Sequence, residues 1–118
     1  MNLYRYATVS LVFCLFTVGS FPAVGEAFPG LMHWLVHFMT YALIAFLFGL
    51  GWSSMGAIYI AVIVAATGTL HEVSEIITHS HAFEFRDAIV NALGALMGIV
   101  ILYVFRKFWQ KSASQVTG

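Results

Sequence analysis

The chain has 118 residues, of which 61% are hydrophobic, 16% aromatic and only 8% charged. A soluble domain carries about 25% charged residues, so a water-facing surface cannot be covered here, and no polar tract of the disordered kind is present. Formal net charge is zero, and no basic patch points to nucleic acid.

What remains is an integral membrane protein. A hydrocarbon core of roughly 30 Å takes about 20 helical residues per crossing. The length therefore predicts an all-α, polytopic bundle of four transmembrane helices, with no room for a soluble domain.

In chain order, the first apolar run covers residues 7–19 after Arg5 and is followed by Ser20, Pro22, Gly25, Glu26 and Pro29. It predicts a spanning helix over 4–22. A short run after one basic residue also fits a signal peptide, with Ala23, Gly25 and Ala27 small enough for cleavage; the run is read here as a retained span. The lone Cys14 within it is a packing residue. Pro22 and Pro29 bound a loop. The second run predicts a helix over 31–50, closed by a turn rich in glycine and serine, and the third a helix over 57–77. A polar stretch, 78–86, leads to a fourth helix over 87–105, where Asp87 faces the positive end of the helix dipole. Arg106, Lys107 and Lys111 close that helix, and the polar residues 112–118 read as a frayed tail. Trp34, Trp52 and Trp109 lie near helix ends, where an amphipathic ring prefers the interface.

Charge sets the orientation. Arg5, Arg106, Lys107 and Lys111 flank the two termini, which an even number of crossings puts on one side. By the positive-inside rule that side is the cytoplasm. The acids Glu26, Glu72, Glu75, Glu84 and Asp87 all fall toward the other side, together with His33, His71, His79 and His81, and His37 lies one turn deeper.

Helical spacing tests whether these groups face one another. At about 100° per residue, His33, His37 and Tyr41 share one stripe of the second helix. Gly68, Glu72, Glu75 and His79 share a narrow arc of the third, with His71 about 60° to one side. Asp87, Asn91, Gly94 and Gly98 form a stripe on the fourth. A charged group inside a membrane costs at least about 2.5–3.5 kcal/mol, so such groups turn inward and pair. The three stripes are expected to meet around a polar pocket at the outer end, lined by His37, Tyr41, Glu72, Glu75, Asp87 and Asn91. Gly94 and Gly98, spaced as small-xxx-small, are expected to let another helix backbone come close. The plainer reading of His71, His79 and Glu84 is that they only hydrogen-bond the helices together, and for Tyr41 that it packs.

These residues carry a resemblance. The stretch His33-Trp34-Leu35-Val36-His37-Phe38-Met39-Thr40-Tyr41, the segment Glu72-Val73-Ser74-Glu75 followed by His81, and the pattern of Asp87, Asn91, Gly94 and Gly98 together resemble the VanZ-like family of small bacterial membrane proteins. The last pattern, D-x-x-x-N-x-x-G-x-x-x-G, is intact. In the others this chain departs: the family's acid–lysine pair is His33-Trp34, its glutamine is Glu75 and its arginine is His81. Two cations are thus absent and two histidines and a carboxylate gained, with Arg86 the nearest candidate to replace a cation. The family is named for a protein associated with teicoplanin resistance. The resemblance implies a four-helix membrane protein with an envelope-related role; resistance itself does not transfer on fold.

Three functions compete. In the first, the pocket binds a lipid-linked or amphiphilic ligand at the outer leaflet. In the second, His71-Glu72-x-x-Glu75 with His33, His37, His79 and His81 holds a metal, zinc or iron by donor type. In the third, the chain is a non-catalytic subunit whose apolar first helix faces a membrane-protein partner or another copy of itself. No nucleophile motif and no internal repeat favours hydrolysis or inverted-repeat transport.

Overall fold

The computed structural model of the protein describes residues 2–80 and 82–116. Among these the chain forms helices and no strands: α1 (Leu3–Gly19), α2 (Pro22–Glu26), α3 (Leu31–Gly51), α4 (Ala57–His79) and α5 (Phe85–Val116). The last three are long and apolar enough to cross a membrane, and α1 is a shorter apolar helix.

Several boundaries differ from those expected, each for a local reason. The first helix stops at Gly19 instead of reaching residue 22. A residue before proline is pushed out of the helical region, and Phe21, before Pro22, sits at φ −95°, ψ 117°. Pro22 then opens α2, because at a helix start its missing N–H is not needed. The expected loop thus contains one helical turn, and Gly30, at φ 62°, bends the chain into α3. The third span continues past residue 77 to His79, where Ser80 adopts the left-handed conformation that ends it. The fourth opens at Phe85, before Asp87, and does not end at 105: the tail expected to fray is helical to Val116. Its Lys111, Ala113 and Gln115 are good helix formers, and Ser114 Oγ donates to the Lys111 carbonyl.

The helix α3 is central. It packs most extensively on α5 and also against α1 and α4, while α4 leans on α5 and touches α1. The α3–α5 contact is close because the stripe on α5 has no side chains there. A Cβ added to Gly94 would strike the Phe38 carbonyl, and one added to Gly98 the Ala42 carbonyl, so backbone meets backbone. The apolar core around this seam comprises Tyr41, Ile44, Ala45, Ile60, Val64, Ala95 and Leu102. Large apolar side chains such as Leu31, Ile58, Ile77, Phe85 and Tyr103 point outward.

All the lysines and arginines except Arg86 gather at one end. The last carbonyls of a helix lack intrahelical partners and carry the negative end of its dipole. At the end of α3, Arg5 Nε donates to the Gly51 carbonyl at 2.7 Å and Arg106 to the Gly49 carbonyl at 2.7 Å. Asn2 Nδ2 adds a weaker bond to Gly51 at 3.3 Å, and the Arg5 guanidinium lies over the Trp52 ring. The start of α1 and the basic part of α5 therefore share one end of the molecule. From Arg106 to Asp87 the rise is about 28 Å, close to the hydrocarbon thickness of roughly 30 Å.

Candidate functional site

At the end opposite Arg5 and Arg106, three helices deliver their polar stripes to one another. His33, His37 and Tyr41 come from α3, His71, Glu72 and Glu75 from α4, and Asp87 and Asn91 from α5. The burial is nearly complete: Tyr41 and Asn91 are 0% exposed, Asp87 1%, and His71 and Glu72 3% each. Glu72 lies about 10 Å inside the end of α4 by helical rise.

Two hydrogen-bonded units organise the cluster. In the deeper one, His37 Nδ1 lies 2.9 Å from Asn91 Oδ1. A carbonyl oxygen only accepts, so the imidazole donates and its tautomer is set by Asn91. The Asn91 amide nitrogen in turn donates to Glu72 Oε1 at 3.5 Å. That carboxylate oxygen also stands 3.8 Å from His37 Nδ1. In the shallower unit, His33 Nε2 donates to Asp87 Oδ2 at 2.8 Å. The two units adjoin, with the His33 and His37 rings 4.5 Å apart between centroids.

His71 departs from its expected place to one side. It faces inward, its ring centroid 6.0 Å from that of His37. The reason is α1. Phe16 sets an edge against the His71 ring at 5.4 Å, and Gly19 lies so close that a Cβ there would strike His71 Nε2. Because α4 is covered by α1 as well as α5, its buried arc is wider than one stripe. Phe16 and Gly19 were not foreseen as site residues; an apolar helix without polar spacing gives only Gly19, a small residue at its end, as a signal.

Some of the cluster's bonding capacity is unused. Both ring nitrogens of His71, the Tyr41 hydroxyl and Asp87 Oδ1 are buried without a hydrogen-bond partner among the described residues. Glu75 Oε1 stands 3.7 Å from His71 Nε2, beyond bonding range. A buried polar group left unpaired costs about 1–3 kcal/mol.

A cavity of about 230 Å³ opens beside the cluster. Its apolar lining comes from Leu15, Val18, Val24, Phe28 and Val36, and its polar lining from His33, His37, Thr40, Tyr41, His71 and Glu75. Of the residues expected to line a pocket, His37, Tyr41 and Glu75 do so; Glu72, Asp87 and Asn91 are not among its lining residues and sit in the buried layer. The short α2 supplies part of the apolar lining, which the proline-bounded loop did not suggest.

Two sets of donors come close enough to share an ion. His33, His37 and Asp87 form one, and His37, His71 and Glu72 the other, with the donor atoms of each set within 4.8 Å of one another. His79, expected as a ligand, belongs to neither; it sits half-buried in the last turn of α4. His81, also expected, lies outside the described residues. Arg86 is exposed, with its guanidinium 5.9 Å from the centre of the Trp34 ring.

Comparison of the chain with protein-family models, with curated proteins and with solved structures gives no match.

Proposed function

We propose that the protein is a multi-pass protein of the bacterial cytoplasmic membrane, of the VanZ-like kind, that binds an amphiphilic or lipid-linked ligand at its extracytoplasmic end. In this reading α1, α3, α4 and α5 form a four-helix transmembrane bundle with both termini in the cytoplasm. The observation that carries it is the mixed lining of the cavity: apolar side chains of α1, α2 and α3 together with imidazoles, a tyrosine and a carboxylate. A ligand with an acyl chain and a polar head matches both kinds of lining. The orientation is supported by Arg5 and Arg106 meeting at one end of α3, since basic residues favour the cytoplasmic side. The role is binding, and no reaction is assigned.

Native mass spectrometry of the protein released from its own membrane in mild detergent tests the reading. The wild type is expected to retain one amphiphile per chain, and Val36→Trp, which fills the cavity from its apolar lining, to lose it. Bare protein in the wild type, or equal retention by the variant, overturns the proposal.

A further inference from the structure

The buried cluster has carboxylates but no strong base. Between Arg5 and Arg86 the chain contains no lysine or arginine. Arg5 is bound to the carbonyl of Gly51, at the far end of α3, and Arg86 is exposed. Glu72, 3% exposed, has the His37 and His71 imidazoles and the Asn91 amide as close partners, and the nearby charged side chains Glu75, Asp87 and Glu84 carry its own sign. A buried carboxylate requires a positive partner, a proton or a metal. Beside it stands His71, buried to 3% exposure with neither ring nitrogen hydrogen-bonded among the described residues. A buried imidazole in that state next to a carboxylate has its donor capacity unspent.

We propose that His37, His71 and Glu72 bind one divalent transition-metal ion, with zinc the best match to the donors. Their donor atoms lie within 4.8 Å of one another. Around a tetrahedral ion with bonds of about 2.0–2.1 Å the donors stand about 3.3 Å apart, so small side-chain rotations close the set. Two nitrogens and one oxygen favour zinc or a neighbouring transition ion over magnesium and calcium, which take oxygen donors. One dication also supplies the charge that Glu72 lacks. Asn91 holds both His37 and Glu72 from behind, as groups behind metal ligands do. Because His37 and His71 also line the cavity, the ion sits where the cavity meets the buried layer. The proposal goes beyond the binding of an amphiphile and stands without it.

The test uses full-length protein purified in detergent, stripped with a chelator and titrated with Zn²⁺ against a chromophoric competitor, and separately with Co²⁺. One ion per chain is expected, with visible Co²⁺ bands of a nitrogen-containing, low-coordinate site. His71→Gln and Glu72→Gln should each bind at least about tenfold more weakly, while His79→Gln keeps wild-type affinity. Val36→Trp should still bind the ion, which separates this site from the amphiphile. Absence of stoichiometric zinc in the wild type, or Co²⁺ bands of an all-oxygen site, overturns the proposal whatever the variants do. Equal affinity of folded His71→Gln and His79→Gln does so too.

Discussion

Asn91 Oδ1 lies 2.9 Å from His37 Nδ1, within the seam where α3 and α5 run backbone to backbone. The close approach and the hydrogen bond depend on each other. Gly94 and Gly98 let α5 draw against Phe38 and Ala42, and at that separation a short asparagine reaches the imidazole one turn away. Polar specificity and packing thus share one helix face.

Asn91 therefore bears on stability through two partners. Asn91→Leu removes the acceptor for His37 and the donor for Glu72 in a position with no exposure. A loss of about 1–3 kcal/mol per stranded group is expected. Unfolding in mixed micelles, followed by circular dichroism, measures it; a variant as stable as the wild type contradicts the network.

The glycines separate by what surrounds them. Gly94→Ala places a methyl group against the Phe38 carbonyl, whereas Gly25→Ala meets nothing within 4 Å. Overpacking of this kind costs about 1–3 kcal/mol. The same unfolding measurement should show Gly94→Ala clearly destabilised and Gly25→Ala unchanged, and the reverse order would refute the α3–α5 register.

His33 and Asp87 form a pair whose parts should not act independently. Asp87 is 1% exposed and His33 is its hydrogen-bonding partner. His33→Leu strands the carboxylate and should destabilise by about 1–3 kcal/mol. In the double variant His33→Leu/Asp87→Leu no charge is left behind, so stability should recover in part, as when a buried pair is replaced whole. Additive losses would show that the pair is not coupled.

Both arginines at the end of α3 should matter, for the same reason. Arg5→Gln and Arg106→Gln each weaken a charged hydrogen bond to a terminal carbonyl of that helix. Such bonds contribute about 1.5–3 kcal/mol. Hydrogen exchange of the last turn of α3 should accelerate in each variant and most in the double one. Unaltered protection would mean that these carbonyls are satisfied in another way.

Much of the site can be seen in residue spacing, and the reason is solvent. In a nonpolar surround, ionisable groups on separate helices must turn toward one another, so the stripes of His33 and His37, of Glu72, and of Asp87 and Asn91 announced the cluster before any coordinates. Gly94 and Gly98 announce a close approach of α5 to another backbone, but not that the partner is α3. What spacing could not reveal is how many neighbours one helix has. Spacing sets His71 about 60° from the Glu72 arc, and only the packing of Phe16 and Gly19 turns that side of α4 inward. Hydropathy likewise marks where apolar runs stop, not where helices stop. It ended the fourth helix at residue 105, although helix propensity carries α5 to Val116.

The double hold on the end of α3 has a mechanical consequence. Arg5 and Arg106 fasten the first and last long helices to adjoining carbonyls, and residues 52–56 tie α3 to α4 at that same extremity. Among the described residues no such hydrogen bond fastens α1 at the other extremity, where it continues into α2 and residues 27–30. Any widening of the chamber beside His71 would therefore pivot α1 about Arg5, with Phe16, Gly19 and α2 travelling farthest. A guest arriving sideways would part the molecule at its tips while its base stays clamped.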